Sequence, residues 1–252
     1  MIRYNEIKAL PQEEQNAKLL RYFNDWSTRF TLAERVCNAM NQAILHLDVL
    51  PGEKISEEKL ASVFGISRTP VREGLRRLQD LGLVTLIPNR GAEVVVFSDQ
   101  EIQKIGLIRI PMDMVAAQQA MYYAGIADFD ELERLCDACD KAVQDADLFG
   151  RVQWDSAFHL KIVELSRNEL LLKYQNENYL RLQYMGITQF TKDQDSLQMV
   201  SLHREIVAAM RLHDEKRVCQ AIYNHSAPFH HIENIEPHWF KACLLYTSPS
   251  PR

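Results

Sequence analysis

No run in the chain approaches the 18 apolar residues of a membrane-spanning helix, and the opening MIRYNEIKALPQEEQ is too polar for a secretory leader. Both absences point to a cytoplasmic protein without a membrane partner. An excess of positive charge is missing too. A net charge of −5 excludes a protein that coats nucleic acid indiscriminately, so any DNA contact has to come from a local patch. Cysteine is sparse, and its count of five is odd, which excludes a disulfide framework. Cys136-x-x-Cys139 has no second pair to complete a zinc site and sits in the helical pattern of Leu132, Leu135 and Val143, so both read as small core residues. After Phe97 there is no alternating run and no internal repeat. At 252 residues, with 46% hydrophobic and 25% charged content, the chain has room for one large domain or two modest ones.

The local patch exists. From Ser67 to Leu78 the chain reads as a helix with Ser67 or Thr69 as cap and Pro70 in the first turn, where a missing N–H costs nothing. Val71, Leu75 and Leu78 form its core face, and Arg68, Arg72, Arg76 and Gln79 a second stripe about 120° away. A short helix ahead of it, Lys59 to Phe64, stops at Gly65, a residue that tolerates a left-handed cap. Helix, glycine turn and arginine-striped helix make a helix-turn-helix. The β-type runs 83–87 and 92–96, joined by Pro88-Asn89-Arg90-Gly91, add a hairpin whose Arg90 is placed to enter a minor groove. The bland alternative is a surface helix with solvated arginines.

SRTPVREGLRRLQDLGLV together with PNRGAEV resembles the DNA-binding domain of the GntR superfamily of bacterial regulators over residues 31–97. The resemblance implies a winged helix-turn-helix in which Ser67, Arg68, Thr69, Arg72, Arg76 and Arg90 meet double-stranded DNA. A homodimer would then read a near-palindromic operator.

Around this domain, residues 1–30 form an extension with a helix near Glu13–Phe23, and Thr31 to Leu47 is the first helix of the reader. Ser98-Asp99-Gln100-Glu101 is a capping box that starts a new helix at once, so the linker is very short. That helix should kink at Pro111. Asp128 to Glu131 starts another, and helical patterns follow at 150–166, 169–190, 193–212 and 214–235. Residues 98–240 therefore read as an all-α antiparallel bundle. The tail from Cys243 to Arg252 resembles translated sequencing-adapter sequence. A genuine Pro/Ser-rich end is the other reading.

Asp155 and His159 stand four apart on one helical face, with His203 and His225 on later helices. Three imidazoles and a carboxylate suit a divalent transition metal with open positions, zinc, nickel, manganese or iron. Spacing alone equally allows isolated core or surface histidines. The segments WDSAFH, SRN, HREI and 214–225 resemble the FCD domain, the ligand-binding half of one GntR branch, over residues 99–235. That resemblance implies Asp155, His159, His203 and His225 as metal ligands, Arg109 as a clamp for an effector carboxylate, and Asn168 as a pocket residue. Asp113 stands where glutamate is common, Pro111 is unusual, Leu202 replaces a frequent glutamate and Arg167 a frequent glycine. His213, His230, His231 and His238 read as surface residues.

The expected function is a transcription regulator whose operator affinity answers to a small carboxylate or hydroxy-acid effector at the metal site. The alternative is a metal-dependent hydrolase with a regulatory winged helix. A purely structural metal clamp is the third reading.

Overall fold

The structure is a computed structural model, and it describes residues 8–27, 29–88, 90–189 and 195–233, with the side chains of 177 and 195–200 outside the description. The tail after 233, with His238, lies outside the described residues. Two compact units emerge, one of residues 1–96 with 180–191, the other of 97–179 with 192–252.

In the first unit, α1 (Gln12–Asn24) docks the N-terminal extension onto the reader. Lys18 Nζ and Tyr22 OH both reach the Asp48 carboxylate, at 2.7 and 2.6 Å, and Gln15 Nε2 donates to the Asp48 carbonyl at 2.9 Å. Next, α2 (Leu32–Leu45) opens on a reciprocal box: Thr31 Oγ1 accepts from Glu34 N at 3.2 Å and Glu34 Oε2 from Thr31 N at 2.9 Å. Then come α3 (Glu57–Phe64), stopped by Gly65 at φ 65°, and α4 (Arg68–Asp80). Ser67 holds the cap position of α4, but its side chain makes no cap bond, and Thr69 lies inside the helix.

Val71, Leu75 and Leu78 are each 0% exposed against α2, and burying such a side chain contributes about 1.5–3 kcal/mol. Gly74 lets the two helices close up, since a Cβ there would sit 2.7 Å from Val36. The wing is a three-stranded antiparallel sheet in the order β1 (Lys54–Ile55), β3 (Gly91–Val94), β2 (Val84–Ile87), with Val84 opposite Val94 and Lys54 opposite Glu93. The two-residue β1 was absent from the sequence reading because so short a strand has no periodicity.

The second unit is helical among its described residues. It comprises α5 (Asp99–Tyr123), α6 (Ile126–Gln144), α7 (Leu148–Leu165), the start of α8 (Glu169–Gln189), α9 (Asp195–Arg211) and α10 (Glu215–Ser226). Its core includes Ile110, Met114, Phe158, Ile206, Met210 and Ile222. The Ser98–Glu101 box forms, and α5 then runs unbroken through Pro111. Helix α6 begins at Ile126, before the expected Asp128, because Asp128 Oδ2 reaches back to the Gly125 N–H at 3.0 Å. Helix α10 stops at Ser226, well short of 235. Cys136 and Cys139 are buried free thiols. No helix among the described residues is long and apolar enough to cross a membrane.

Candidate functional site

Helix α4 turns its arginine stripe outward. Ser67, Arg68, Thr69, Arg72, Arg76 and, at the wing tip, Arg90 are all exposed. Two of these arginines are held by acids on α3. Arg72 Nε donates to Glu57 Oε1 at 3.0 Å and its Nη2 to Oε2 at 2.8 Å, a two-point pair, while Arg68 Nη2 stands 3.0 Å from Glu58 Oε1. The Glu57 carboxyl is held below its ordinary value, chiefly by the hydrogen bond from Arg72. With its Nε–Nη2 edge engaged by Glu57, Arg72 keeps Nη1 outside that pair. Glu57 was missed in the sequence, where an acid at a helix start reads as a dipole partner.

In the second unit, with the three histidines buried and Asp155 partly exposed, one ligand atom each of Asp155, His159, His203 and His225 lies within 4.8 Å of the others. Asp155 and His159 come from adjacent turns of α7, His203 from α9 and His225 from α10. His225 Nε2 is 3.0 Å from His159 Nε2, 3.1 Å from His203 Nε2 and 3.6 Å from Asp155 Oδ1, and His203 Nε2 is 3.2 Å from that same oxygen. A neutral imidazole has one proton, so His225 Nε2 cannot satisfy three neighbours by hydrogen bonding. Ligand atoms bound to one first-row ion at about 2.1 Å stand about 3.0–3.4 Å apart, so the donor set and the three shortest separations fit a divalent transition metal.

The electrostatics agree with neutral His159 and His203 beside an ionised Asp155. Burial, then the charge of Arg109, pushes His159 well below its ordinary value, and burial with His225 pushes His203 down to about 4. Burial opposes the charge of Asp155, but hydrogen bonds from His203 and His225 outweigh it and hold the carboxyl well below the usual range.

Beside this cluster, Arg109 of α5 is buried. Its Nε donates to Asp113 Oδ2 at 3.0 Å, and the same oxygen is 3.9 Å from His159 Nδ1. Gln175 of α8 donates to Asp113 Oδ1 at 2.6 Å. His230 overturns the surface assignment: it is 0% exposed, with Nε2 3.5 Å from Arg109 Nη1 and Nδ1 3.2 Å from the Ile102 carbonyl. The chain after α10 folds back against α5, where the helical pattern read to 235 had placed a continuing helix. His213 and His231 are exposed, as expected.

Asn168 caps a helix. Its Oδ1 caps α8 by accepting from Leu171 N at 3.1 Å and its Nδ2 donates to Gln119 at 3.3 Å, so neither bond reaches the Arg109 cluster. Gln175 and Tyr179, also missed, did leave a signal. They interrupt the stripe Leu171, Gln175, Tyr179, Leu182, which is otherwise apolar and buried.

Comparison with known proteins matches residues 32–94 to the gntR family of bacterial regulatory proteins and residues 105–227 to the FCD domain. An uncharacterised HTH-type transcriptional regulator, YdhC of Bacillus subtilis, is 25% identical over 195 residues, covering 75% of this chain and 84% of its own. A regulator from a ttuE-ttuC' intergenic region of Agrobacterium vitis is 31% identical over 116 residues, 45% of this chain and 68% of its own. Among solved structures, McbR/YncC of Escherichia coli overlays with a TM-score of 0.67 at 19% identity, covering 79% of this chain and 95% of that one, a likeness of fold. With reader, wing and helical domain all accounted for, this chain belongs to the GntR family, FCD branch, and is a DNA-binding transcription regulator rather than an enzyme.

Proposed function

We propose that the protein acts as a homodimer on a near-palindromic operator, and that a small carboxylic acid, bound at a divalent-metal centre in the helical unit, sets its DNA affinity. The observation that carries this reading is the gathering of Asp155, His159, His203 and His225 within 4.8 Å beside the buried Arg109. Arg68, Arg72, Arg76 and Arg90 divide between base edges and phosphates, with Ser67 and Thr69 on the backbone. Asp155 and the three imidazoles hold the ion, which supplies open positions for carboxylate or hydroxyl oxygens, and Arg109 binds carboxylate by charge-assisted hydrogen bonds. The acid regulates only by binding one arrangement of the protein better than another.

Elemental analysis of the purified protein tests the centre directly. Wild type should retain about one divalent ion per chain, whereas His159→Ala should retain none and, compared with metal-stripped wild type, should bind operator within about twofold. Equal metal content in the two proteins would overturn the four-ligand assignment.

A further inference from the structure

On the Arg109 side of the centre, Arg109 Nη2, Gln175 Oε1 and Tyr179 OH are buried without a well-formed hydrogen bond among the described residues, with the Arg109 and Tyr179 side chains close enough to interact with each other. Buried polar groups are nearly always satisfied, so such a group points to a ligand or water. Their residues meet around Asp113, whose two oxygens take Arg109 Nε and Gln175 Nε2. Tyr179 lies one turn beyond Gln175 on α8. Burial, then the Asp113 charge, keeps its phenol well above the ordinary value, so it is a neutral donor.

The role of each atom follows from its neighbours. The Ile102 carbonyl beside His230 Nδ1 places the ring proton there, so Nε2 offers a lone pair toward Arg109 Nη1. The guanidinium is thereby held at Nε and Nη1, and Nη2, with two N–H groups, keeps one to donate even beside the Tyr179 oxygen. Gln175 has to present its amide nitrogen to the Asp113 carboxylate, since the flipped amide would set two oxygens together; Oε1 is therefore an acceptor. Two donors and one acceptor call for a ligand with the reverse pattern: an anion that accepts from Arg109 and Tyr179, with a donor attached. An ammonium donor would place a second buried cation beside the guanidinium, whereas a hydroxyl adds no charge.

We propose that Arg109, Gln175 and Tyr179 form the recognition half of the effector site and select a 2-hydroxy acid over the matching 2-oxo or unsubstituted acid, with Gln175 reading the hydroxyl. This rests on the carboxylate-effector reading above. A site built to bond a hydroxyl rejects analogues that lack it, because its own acceptor is then left buried and unsatisfied.

The test uses the full-length protein as purified. Isothermal titration is run with matched sets of 2-hydroxy, 2-oxo and unsubstituted straight-chain acids of two to six carbons. Within at least one set the hydroxy acid should bind about tenfold or more tightly than its partners. Gln175→Leu should bring the three within about threefold, and Arg109→Leu should lose all of them. Gln175→Met, closer in shape, replaces Gln175→Leu if the latter fails to fold. Equal wild-type affinity within every set, or discrimination that survives loss of Gln175, would overturn the assignment of Gln175 while leaving a carboxylate effector in place. No binding of any acid by wild type would overturn the effector reading and this inference together.

Discussion

On the reader face arginine charge stands in water. The side chains of Arg68 and Arg72 are 59% and 51% exposed, and each is paired with a glutamate of α3. In the helical core the Arg109 and Asp113 side chains are 5% and 4% exposed, at a similar pairing distance. Distance is therefore a poor guide to what an ion pair does. An exposed pair is worth little in stability, so it can orient an arginine toward a phosphate or a base without fixing the fold. A buried pair is costly to disturb from either side, so it holds Arg109 in one orientation and defines which of its N–H groups faces a ligand.

The contrast breaks most visibly if one acid is removed from each place. Asp113→Ala leaves the Arg109 guanidinium buried without its carboxylate and should destabilise the protein by about 3–5 kcal/mol in urea denaturation. Glu58→Ala, on the exposed pair, should cost less than about 1 kcal/mol. Comparable losses would mean that water reaches the core pair.

Acid should separate the two places next. Burial holds His203 down to about 4, and burial with the Arg109 charge holds His230 down to about 3, from an ordinary value of 6.5. Folded, these rings stay neutral where the unfolded chain takes up a second ring proton, so their contribution is complete above pH 6.5 and is lost as pH falls toward 4 and 3. Asp113 works in the opposite direction. Burial raises it from 3.8 to about 6, so its contribution is present at low pH and lost as pH rises through that window. His159 and Asp155, both held low, act in the same direction as His203 and His230, so against Asp113 alone the balance is a net proton uptake on unfolding. The urea midpoint of the metal-stripped protein should therefore fall between pH 6.5 and 4, and a flat profile would show the histidines to be hydrated.

On the reader face the expected effect is on affinity rather than stability. Arg72→Ala should weaken operator binding on the order of tenfold to a hundredfold, with the loss concentrated at one base pair per half-site. Glu57→Gln should produce part of the same loss at the same base pair, because the two-point grip that orients Arg72 is weakened. Fluorescence anisotropy with substituted operators measures both. A uniform loss at every position would make Arg72 a phosphate contact instead.

The two places were also unequally legible. The reader was visible because its information is local: the spacing of Val71, Leu75 and Leu78, the Gly65 turn and the Arg68–Arg72–Arg76 stripe all lie within one stretch, and the structure returns each of them. The core centre is assembled from α5, α7, α8, α9, α10 and the chain after it. Helical spacing could join Asp155 to His159 but not to His203 or His225, which came only with the family resemblance. Gln175 was hidden for a different reason. A polar residue in a buried stripe is informative only once the buried side of the helix is known. His230 lay inside the helical pattern read to 235, but α10 ends at Ser226, so the side it faces could not be read from spacing, and the cap that Asn168 gives α8 is visible only through its bond to Leu171 N.

The smallest effect sets the floor of the comparison. Arg204 on α9 reaches Asp137 at 2.7 Å and Asp140 at 2.5 Å on α6, and these acids push its pKa further up through hydrogen bonds. By distance this is a stronger arrangement than Arg109 with Asp113. Its side chain is nevertheless 45% exposed, and that of Asp137 69%. Arg204→Ala should therefore cost no more than about 1 kcal/mol in urea denaturation, and the cost should shrink in high salt, whereas the Asp113→Ala loss should not. Should Arg204→Ala approach the cost of Asp113→Ala, the number and length of ion-pair contacts would matter more than burial.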